Sequence, residues 1–232
     1  MEQYPWLKHY DKGVPYTLQP YPEFTLLDVV SDTVRQRPDH TAIIFKGKRL
    51  SYSALEKLSD AFANALVALG VKKGDRVALL LPNSPQSIIT QLGVWKAGGI
   101  AAPINPLYTE GELERLLNEC GAETVVVLTR FYKKVKSLQP RISVRYVIAT
   151  NIKEYLPPLL SLLFTLFKEK KEGHRIKLQP NDLWLSHLLR QHAGVPRPNM
   201  KISPEDPALL LFSGGTTGEP KGAVGTHHAL LM

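Results

Sequence analysis

The spacing of hydrophobic and polar positions changes several times along the chain, and each change marks an element. From Phe24, with Leu27, Val30 and Val34 on one stripe, the pattern is helical until Pro38. Two short strand signals, 41–46 and 49–52, flank Gly47-Lys48 and predict a hairpin. Ser53 with Glu56 reads as a capping box. The helix after it buries Leu55, Leu58, Phe62, Leu66 and Leu69 and stops at Gly70. Residues 76–81 form an apolar run with no polar face, as a buried parallel strand does. Ser84-Pro85 then reads as the N-cap and first position of a helix that ends at Gly98-Gly99. A strand at 100–104 follows, then a helix capped by Thr109 and Glu112 and closed by Gly121. Next come a strand at 124–128, a short helix at 131–138 and a strand at 145–150. Strand and helix alternating at this spacing predict an α/β fold, a mainly parallel sheet with helices on its faces.

The flanking segments break that rhythm. Residues 1–23 carry Pro5, Pro15, Pro20 and Pro22 among Tyr4, Trp6, Tyr10, Tyr16 and Tyr21, which predicts an extended segment held to the surface by its rings. From about 152 to 206 the chain reads as a surface excursion. Within it Pro157 and Pro158 suit the first turn of a short helix over 159–167, and Lys168, Lys170, Lys171, His174, Arg175 and Lys177 follow. That apolar helix is either packed in the core or docked on an anionic membrane surface, and at this length it cannot span a bilayer. Order returns with an apolar strand at 208–212. The expected organisation is therefore an extended segment at 1–23 and one partial domain at 24–232.

Composition narrows the classes. Of the 232 residues, 44% are hydrophobic and 22% charged, as in a globular protein. The net charge of +8 is scattered rather than interleaved with aromatics, so a nucleic-acid module is not expected. The single cysteine, Cys120, excludes an intramolecular disulfide and a multi-cysteine zinc site, and reads as a small packing residue. The first residues lack the basic and apolar parts of a signal peptide, so a cytoplasmic protein is expected. Nothing in the sequence sets an oligomeric state.

The chemistry is concentrated after the last strand. Ser213, Gly214, Gly215, Thr216, Thr217, Gly218, Glu219, Pro220, Lys221 and Gly222 combine glycines, hydroxyls and one lysine. Glycines let a backbone turn and approach a ligand closely, and successive amide groups in such a turn form an anion-binding concavity. Hydroxyls add donors and the lysine a mobile positive charge, a set suited to a polyphosphate. A Walker A loop needs Gly-Lys-Ser/Thr, whereas Lys221 lies between Pro220 and Gly222.

This loop resembles the phosphate-binding signature of the acyl-adenylate-forming superfamily. Leu50-Ser51-Tyr52 with Leu55, Trp95-Lys96-Ala97-Gly98-Gly99 leading to Pro103-Ile104-Asn105-Pro106, and Thr226-His227 resemble further family elements in the family's order. The resemblance covers about residues 24–232. Asn105-Pro106-Leu107-Tyr108-Thr109 with Glu112-Leu113, and glycine at 214, are similar to bacterial long-chain fatty acid–CoA ligases.

The resemblance implies the large N-terminal domain of an acyl-adenylating enzyme. Its activity is ATP-dependent formation of a fatty acyl adenylate followed by transfer to coenzyme A, with Mg²⁺ accompanying ATP. Residues 213–222 would bind the β- and γ-phosphates, with Thr217 and Lys221 acting on the reacting phosphates. His227 either lines the pocket near the carboxylate, as a third catalytic candidate, or is a satisfied core histidine. The Mg²⁺ ligands are not assigned. Relatives are more than twice as long, so the chain is expected to be an N-terminal fragment. It is expected to lack the remaining nucleotide-binding elements, to be inactive alone and to have one side of its sheet uncovered. Two alternatives stay open: a non-catalytic remnant that binds nucleotide or docks on membranes, and a ligase for short-chain or aromatic acids.

Overall fold

The computed structural model describes residues 4–17, 19–21, 23–212 and 221–232. Helix α1, Leu26–Gln36, starts at a capping box in which Thr25 and Asp28 bond each other's backbone amides. Strands β1, Thr41–Phe45, and β2, Lys48–Ser51, form the expected antiparallel hairpin, separate from the main sheet. Helix α2, Tyr52–Ala68, is capped by Ser51, whose hydroxyl accepts from the Ala54 amide. The box expected from Ser53 and Glu56 does not form. The amides of Tyr52 and Ser53 donate instead to the carbonyls of His40 and Pro38, which draws Tyr52 into the first turn. Glu56 turns to the buried Lys96.

The main sheet uses strands β3 (Arg76–Leu80), β4 (Ile100–Pro103), β5 (Thr124–Leu128), β6 (Tyr146–Thr150), β7 (Leu183–Trp184), β8 (Pro207–Phe212) and β9 (Gly222–Thr226), ordered β7-β6-β5-β3-β4-β8-β9. Every neighbouring pair is parallel except β8 and β9. The intervening helices are α3 (Pro85–Lys96), α4 (Glu110–Cys120), α5 (Tyr132–Leu138), α6 (Pro158–Leu163) and α7 (Leu185–Gln191).

Side chains alternate across each strand, and the two faces have separate cores. Val77 and Leu79 of β3 face α1, α2, α3 and α7, through Leu27, Phe62, Leu66, Ile89 and Leu185. Ala78 and Leu80 face α4 and α5, through Leu113, Leu117, Val135 and Leu138. Both faces are thus covered along β3 to β6, and the uncovered surface that was expected is limited to one end of the sheet. Apolar exposure in the sheet is confined to its β8–β9 end, at Leu211 and Val224.

The excursion is also more ordered than its sequence suggests. Residues 183–191 add the edge strand β7 and helix α7, which buries Leu185, Leu188 and Leu189. Two strand residues and a seven-residue helix are too short to show a period. Tyr132 anchors the approach to β7: its hydroxyl donates to Asp182 and accepts from the Gln179 amide, and Lys136 pairs with Asp182 at 3.0 Å. In the first segment, Tyr4, Trp6, Tyr10 and Tyr16 are exposed rather than packed down, whereas Tyr21 meets the His228 ring at 6.2 Å.

Helices α2 and α3 touch where Gly93 lies against Phe62. A Cβ at Gly93 would stand 2.6 Å from the Phe62 ring, so only glycine allows this approach. One turn on, the fully buried Lys96 ammonium lies 2.8 Å from Glu56, 2.7 Å from Asp60 and 2.8 Å from the Ser59 hydroxyl. Removing one partner of a buried ion pair leaves the others uncompensated. The two carboxylates here keep some contact with water, so Lys96→Met is expected to cost about 3 kcal/mol, the lower end of that effect. Urea unfolding of the two chains measures it, and an unchanged midpoint would refute it.

Candidate active site

The polypeptide leaves β3 for β4 on one side and then crosses to β5 on the other. In open parallel sheets such a reversal opens a crevice beyond the carboxyl ends of the strands, where ligands bind. A cleft of about 610 Å³ lies there, walled by the segments that follow β3 (Leu81–Asn83), β4 (Ile104–Leu107) and β5 (Arg130, Phe131) and by Ile152 and His174.

β8 runs parallel to β4 and ends on the same edge at Phe212, immediately before the 213–221 sequence. Of the predicted phosphate-binding set, Ser213, Gly214, Gly215, Thr216, Thr217, Gly218, Glu219 and Pro220 lie outside the described residues. Lys221 and Gly222 are described. Lys221 is exposed and immediately precedes β9, and Gly222 pairs with Phe212, so the two strands pinch the base of the loop. A Cβ on Gly222 would meet the Leu210 side-chain end at 2.9 Å and the Phe212 ring at 3.3 Å, so the two side chains close over the glycine where the strands meet.

His227 lies in the turn after β9. The Thr226 hydroxyl accepts from the Ala229 amide, and the amides of His227 and His228 donate to the carbonyls of Asp206 and Pro204. The Thr-His pair thus turns the strand back onto the segment that enters β8. The imidazole is 1% exposed and packs edge-on against Trp95, with ring centroids 5.6 Å apart. Its Nδ1 is buried with no hydrogen-bond partner among the described residues. Burial holds its pKa below the ordinary histidine value, with Asp206 and Asp28 opposing the shift. The structure therefore places this ring past the end of β9, beside the start of β8, in the packing against α3.

Sequence reasoning missed a second buried histidine. His174 is almost fully buried on the cleft wall, where its Nδ1 lies 2.8 Å from the Thr129 hydroxyl and its ring meets Phe164 edge-on at 5.2 Å. Beside it, Asn151 donates to Glu169 at 2.9 Å, and Lys153 pairs with the same carboxylate at 2.7 Å. These contacts lash the excursion to the ends of β5 and β6. Their residues are far apart in sequence and follow no local spacing, so no signal announces them. Cys120 behaves as expected: it is buried, and burial pushes its thiol up to about 11. Among the described residues no group of three or more His, Cys, Asp or Glu is placed to hold a metal ion.

The family description "AMP-binding enzyme" matches residues 30–232. The chain belongs to the AMP-binding enzyme family. It is 37% identical to a long-chain-fatty-acid–CoA ligase of Bacillus subtilis, a match covering 99% of this chain and 41% of that protein. It is 36% identical to the ligase of the same description from Haemophilus influenzae, covering 96% and 40%. A solved long-chain-fatty-acid-CoA ligase from Archaeoglobus fulgidus superposes with a TM-score of 0.72 at 27% identity, over 94% of this chain and 39% of that one. An anthranilate CoA ligase in complex with anthranoyl-AMP reaches the same TM-score at 22% identity, over 88% of this chain and 35% of that one, and shows the shared fold. The chain thus spans about two fifths of the length of the ligases it matches.

The two buried histidines of this AMP-binding chain carry a pH signature. Burial lowers the pKa of both, so the unfolded chain takes up protons first as the pH falls. Their contribution is complete above about pH 6.5 and is lost below it, with a limiting slope of about 1.4 kcal/mol per pH unit for each histidine. Burial raises the Glu154 carboxyl, which acts with the opposite sign as the pH climbs past its unfolded value, so single substitutions are needed to separate the groups. The urea midpoint is expected to fall between pH 7.5 and 5, and His227→Asn and His174→Asn are each expected to flatten that fall. Slopes unchanged in both variants would contradict the assignment.

Proposed function

We propose that this chain forms the phosphate-holding part of an ATP-dependent acyl-CoA ligase and that the acid is a fatty acid. The observation that supports the reading is the β8–β9 hairpin, whose strands meet at Phe212 and Gly222 on the carboxyl edge of a parallel sheet, at either end of the glycine- and hydroxyl-rich sequence. The identity to long-chain ligases supports the choice of acid.

The proposed reaction has two steps. A carboxylate oxygen attacks the α-phosphorus of ATP, forming the acyl–phosphate bond of an acyl adenylate as the bond to pyrophosphate breaks. The sulfur of coenzyme A then attacks the acyl carbon, forming the thioester and expelling AMP. The first step concentrates negative charge on the departing pyrophosphate, which preorganised donors and cations stabilise. Backbone amides of 213–222, with Thr216, Thr217 and Lys221, are proposed to serve there, and Mg²⁺ to accompany the nucleotide. Given its burial against Trp95 past the end of β9, His227 is proposed to hold the foot of the β8–β9 hairpin.

Lys221→Ala is expected to weaken binding of ATP·Mg²⁺ to this chain by about tenfold. In a protein that joins the chain to the remaining length of its relatives, it is expected to slow acyl-adenylate formation by about 10²-fold. Pyrophosphate exchange measures the second quantity, and exchange at the unsubstituted rate would reject the assignment.

The apolar segment at α6 supports a further part of the reading, attachment to a membrane surface. Helix α6 continues into a π-helical turn, Phe164–Lys168, and Leu159 and Phe167 stand 67% and 70% exposed beside exposed Lys168, Lys170 and Lys171. Apolar side chains flanked by lysines suit the boundary of an anionic bilayer, where a fatty acid is collected. No helix among the described residues is long and apolar enough to cross a membrane. The chain is expected to co-sediment with vesicles containing phosphatidylserine and to release in high salt. Substituting Leu159, Leu166 and Phe167 by serine is expected to abolish binding with the unfolding midpoint unchanged. Binding that survives those substitutions would remove the membrane from the reading.

A further inference from the structure

The exposed apolar segment is fastened at its far end by one carboxylate. Along 158–169 only three residues are withdrawn from water: Ser161 and Phe164 are half-buried and Glu169 is buried. Phe164 follows Ser161 by three residues, as along one face of an α-helix, but Glu169 follows Phe164 by five. The π-helical turn Phe164–Lys168 takes up that longer step, and the Glu169 amide donates to the Phe164 carbonyl at 2.8 Å. An α-helical turn would bring Lys168, four residues after Phe164, to the inner side instead.

The inner side is built for a carboxylate. Asn151 Nδ2 donates to Glu169 at 2.9 Å, and the Lys153 ammonium pairs with it at 2.7 Å. Lys168 in that place would set two ammonium groups together and take from Asn151 its carboxylate acceptor. Asn151 is itself fixed. Its backbone carbonyl accepts from the buried Gln86 side chain of α3 at 3.0 Å, and its Oδ1 accepts from the Lys153 amide at 3.1 Å. At the start of the turn Phe164 rests edge-on against His174 at 5.2 Å. Between these two ties Thr165, Leu166, Phe167 and Lys168 all stand in solvent.

We propose that Glu169 is the positioning residue of the membrane-facing surface. It fixes the π turn, and the turn presents Leu166, Phe167 and Lys168 together to the headgroup boundary of an anionic bilayer. The proposal rests on the reading of this segment as a bilayer contact, and it adds a buried group on which the shape of that contact depends. A segment held in its docked shape beforehand loses less freedom on binding, so Glu169 strengthens attachment without touching lipid. Its charge alone acts the other way, because a negative group near an anionic surface weakens attachment. Position and charge therefore predict opposite results when Glu169 is removed.

The experiment uses the full 232-residue chain and vesicles of phosphatidylcholine containing phosphatidylserine. Glu169→Ala removes the carboxylate, and Glu169→Gln removes the same charge but keeps an oxygen for Asn151. Vesicle affinity is expected to fall about tenfold in Glu169→Ala and about threefold in Glu169→Gln, although both chains are more basic. Without vesicles, amide exchange over 162–169 is expected to rise about tenfold in Glu169→Ala, with β3, β5 and β6 unchanged. Vesicle binding by folded Glu169→Ala as tight as that of the unsubstituted chain, or tighter, would overturn the proposal. If that variant fails to fold, the same comparison on Glu169→Gln decides. If neither folds, a Glu169 amide in the unsubstituted chain that exchanges as fast as in a free peptide would overturn it. Should the unsubstituted chain bind no vesicles, the membrane reading falls, and the exchange rates alone decide whether Glu169 fixes the turn.

Discussion

A fully buried ammonium must find its counter-charges close by or the fold cannot hold it, and Lys96 meets that condition only when α2 and α3 lie in one register. Glu56 and Asp60 come from one face of α2, a turn apart, and Gly93 removes the Cβ that would keep the helices from closing. The pair then acts as a rigid floor under β3 and β4, with Phe62, Leu66 and Ile89 filling the space between. Trp95 projects from that floor towards β8, so a constraint between two helices reaches the hairpin that carries the loop.

The carboxyl edge of the sheet is where the cleft lies and where the proposed phosphate-binding sequence begins. Parallel strands end there in unison, the direction of the connections switches between the neighbouring strands β3 and β5, and the cleft opens beyond their ends. The packing that supports this edge is mostly apolar, and the cleft at the edge adds the polar groups of Asn83, Asn105, Arg130 and Glu172. His174 sits on the cleft wall at the boundary between the two zones, buried and held towards the neutral form, whereas His227 is buried at the opposite edge of the sheet. A neutral ring can fill the position of His174 without adding charge to the cleft wall.

The long connection between β6 and β8 divides into parts with different physics. One part is sheet and core, since β7 extends the sheet and α7 buries three leucines against α2. Another is a set of buried polar ties at Tyr132, Asn151, Glu169 and His174. The third, α6 and the turn after it, keeps its leucines and a phenylalanine in the open. The ties at Glu169 and His174 follow the exposed segment in sequence and fasten it beside the cleft, so it is held in place while its apolar side chains stay free.

The sequence by itself determined the regular part of this protein. Periodicity placed α1 to α5 and β3 to β6 because each pattern reports a local choice between helix and strand. The capping box at Thr109 and Glu112 and the helix end at Gly121 likewise involve neighbours only. The composition of 213–222 suggested polyphosphate chemistry for the same reason. What only the tertiary structure decided depends on partners distant in the chain. Ser51 rather than Ser53 caps α2, because the amides at 52 and 53 are claimed by carbonyls at 40 and 38. Glu56 became the counter-ion of Lys96, residues 183–191 joined the sheet and its core, and His227 was drawn under Trp95. A local pattern carries no record of which distant group will satisfy a buried charge, amide or ring, and these assignments had to wait for the fold.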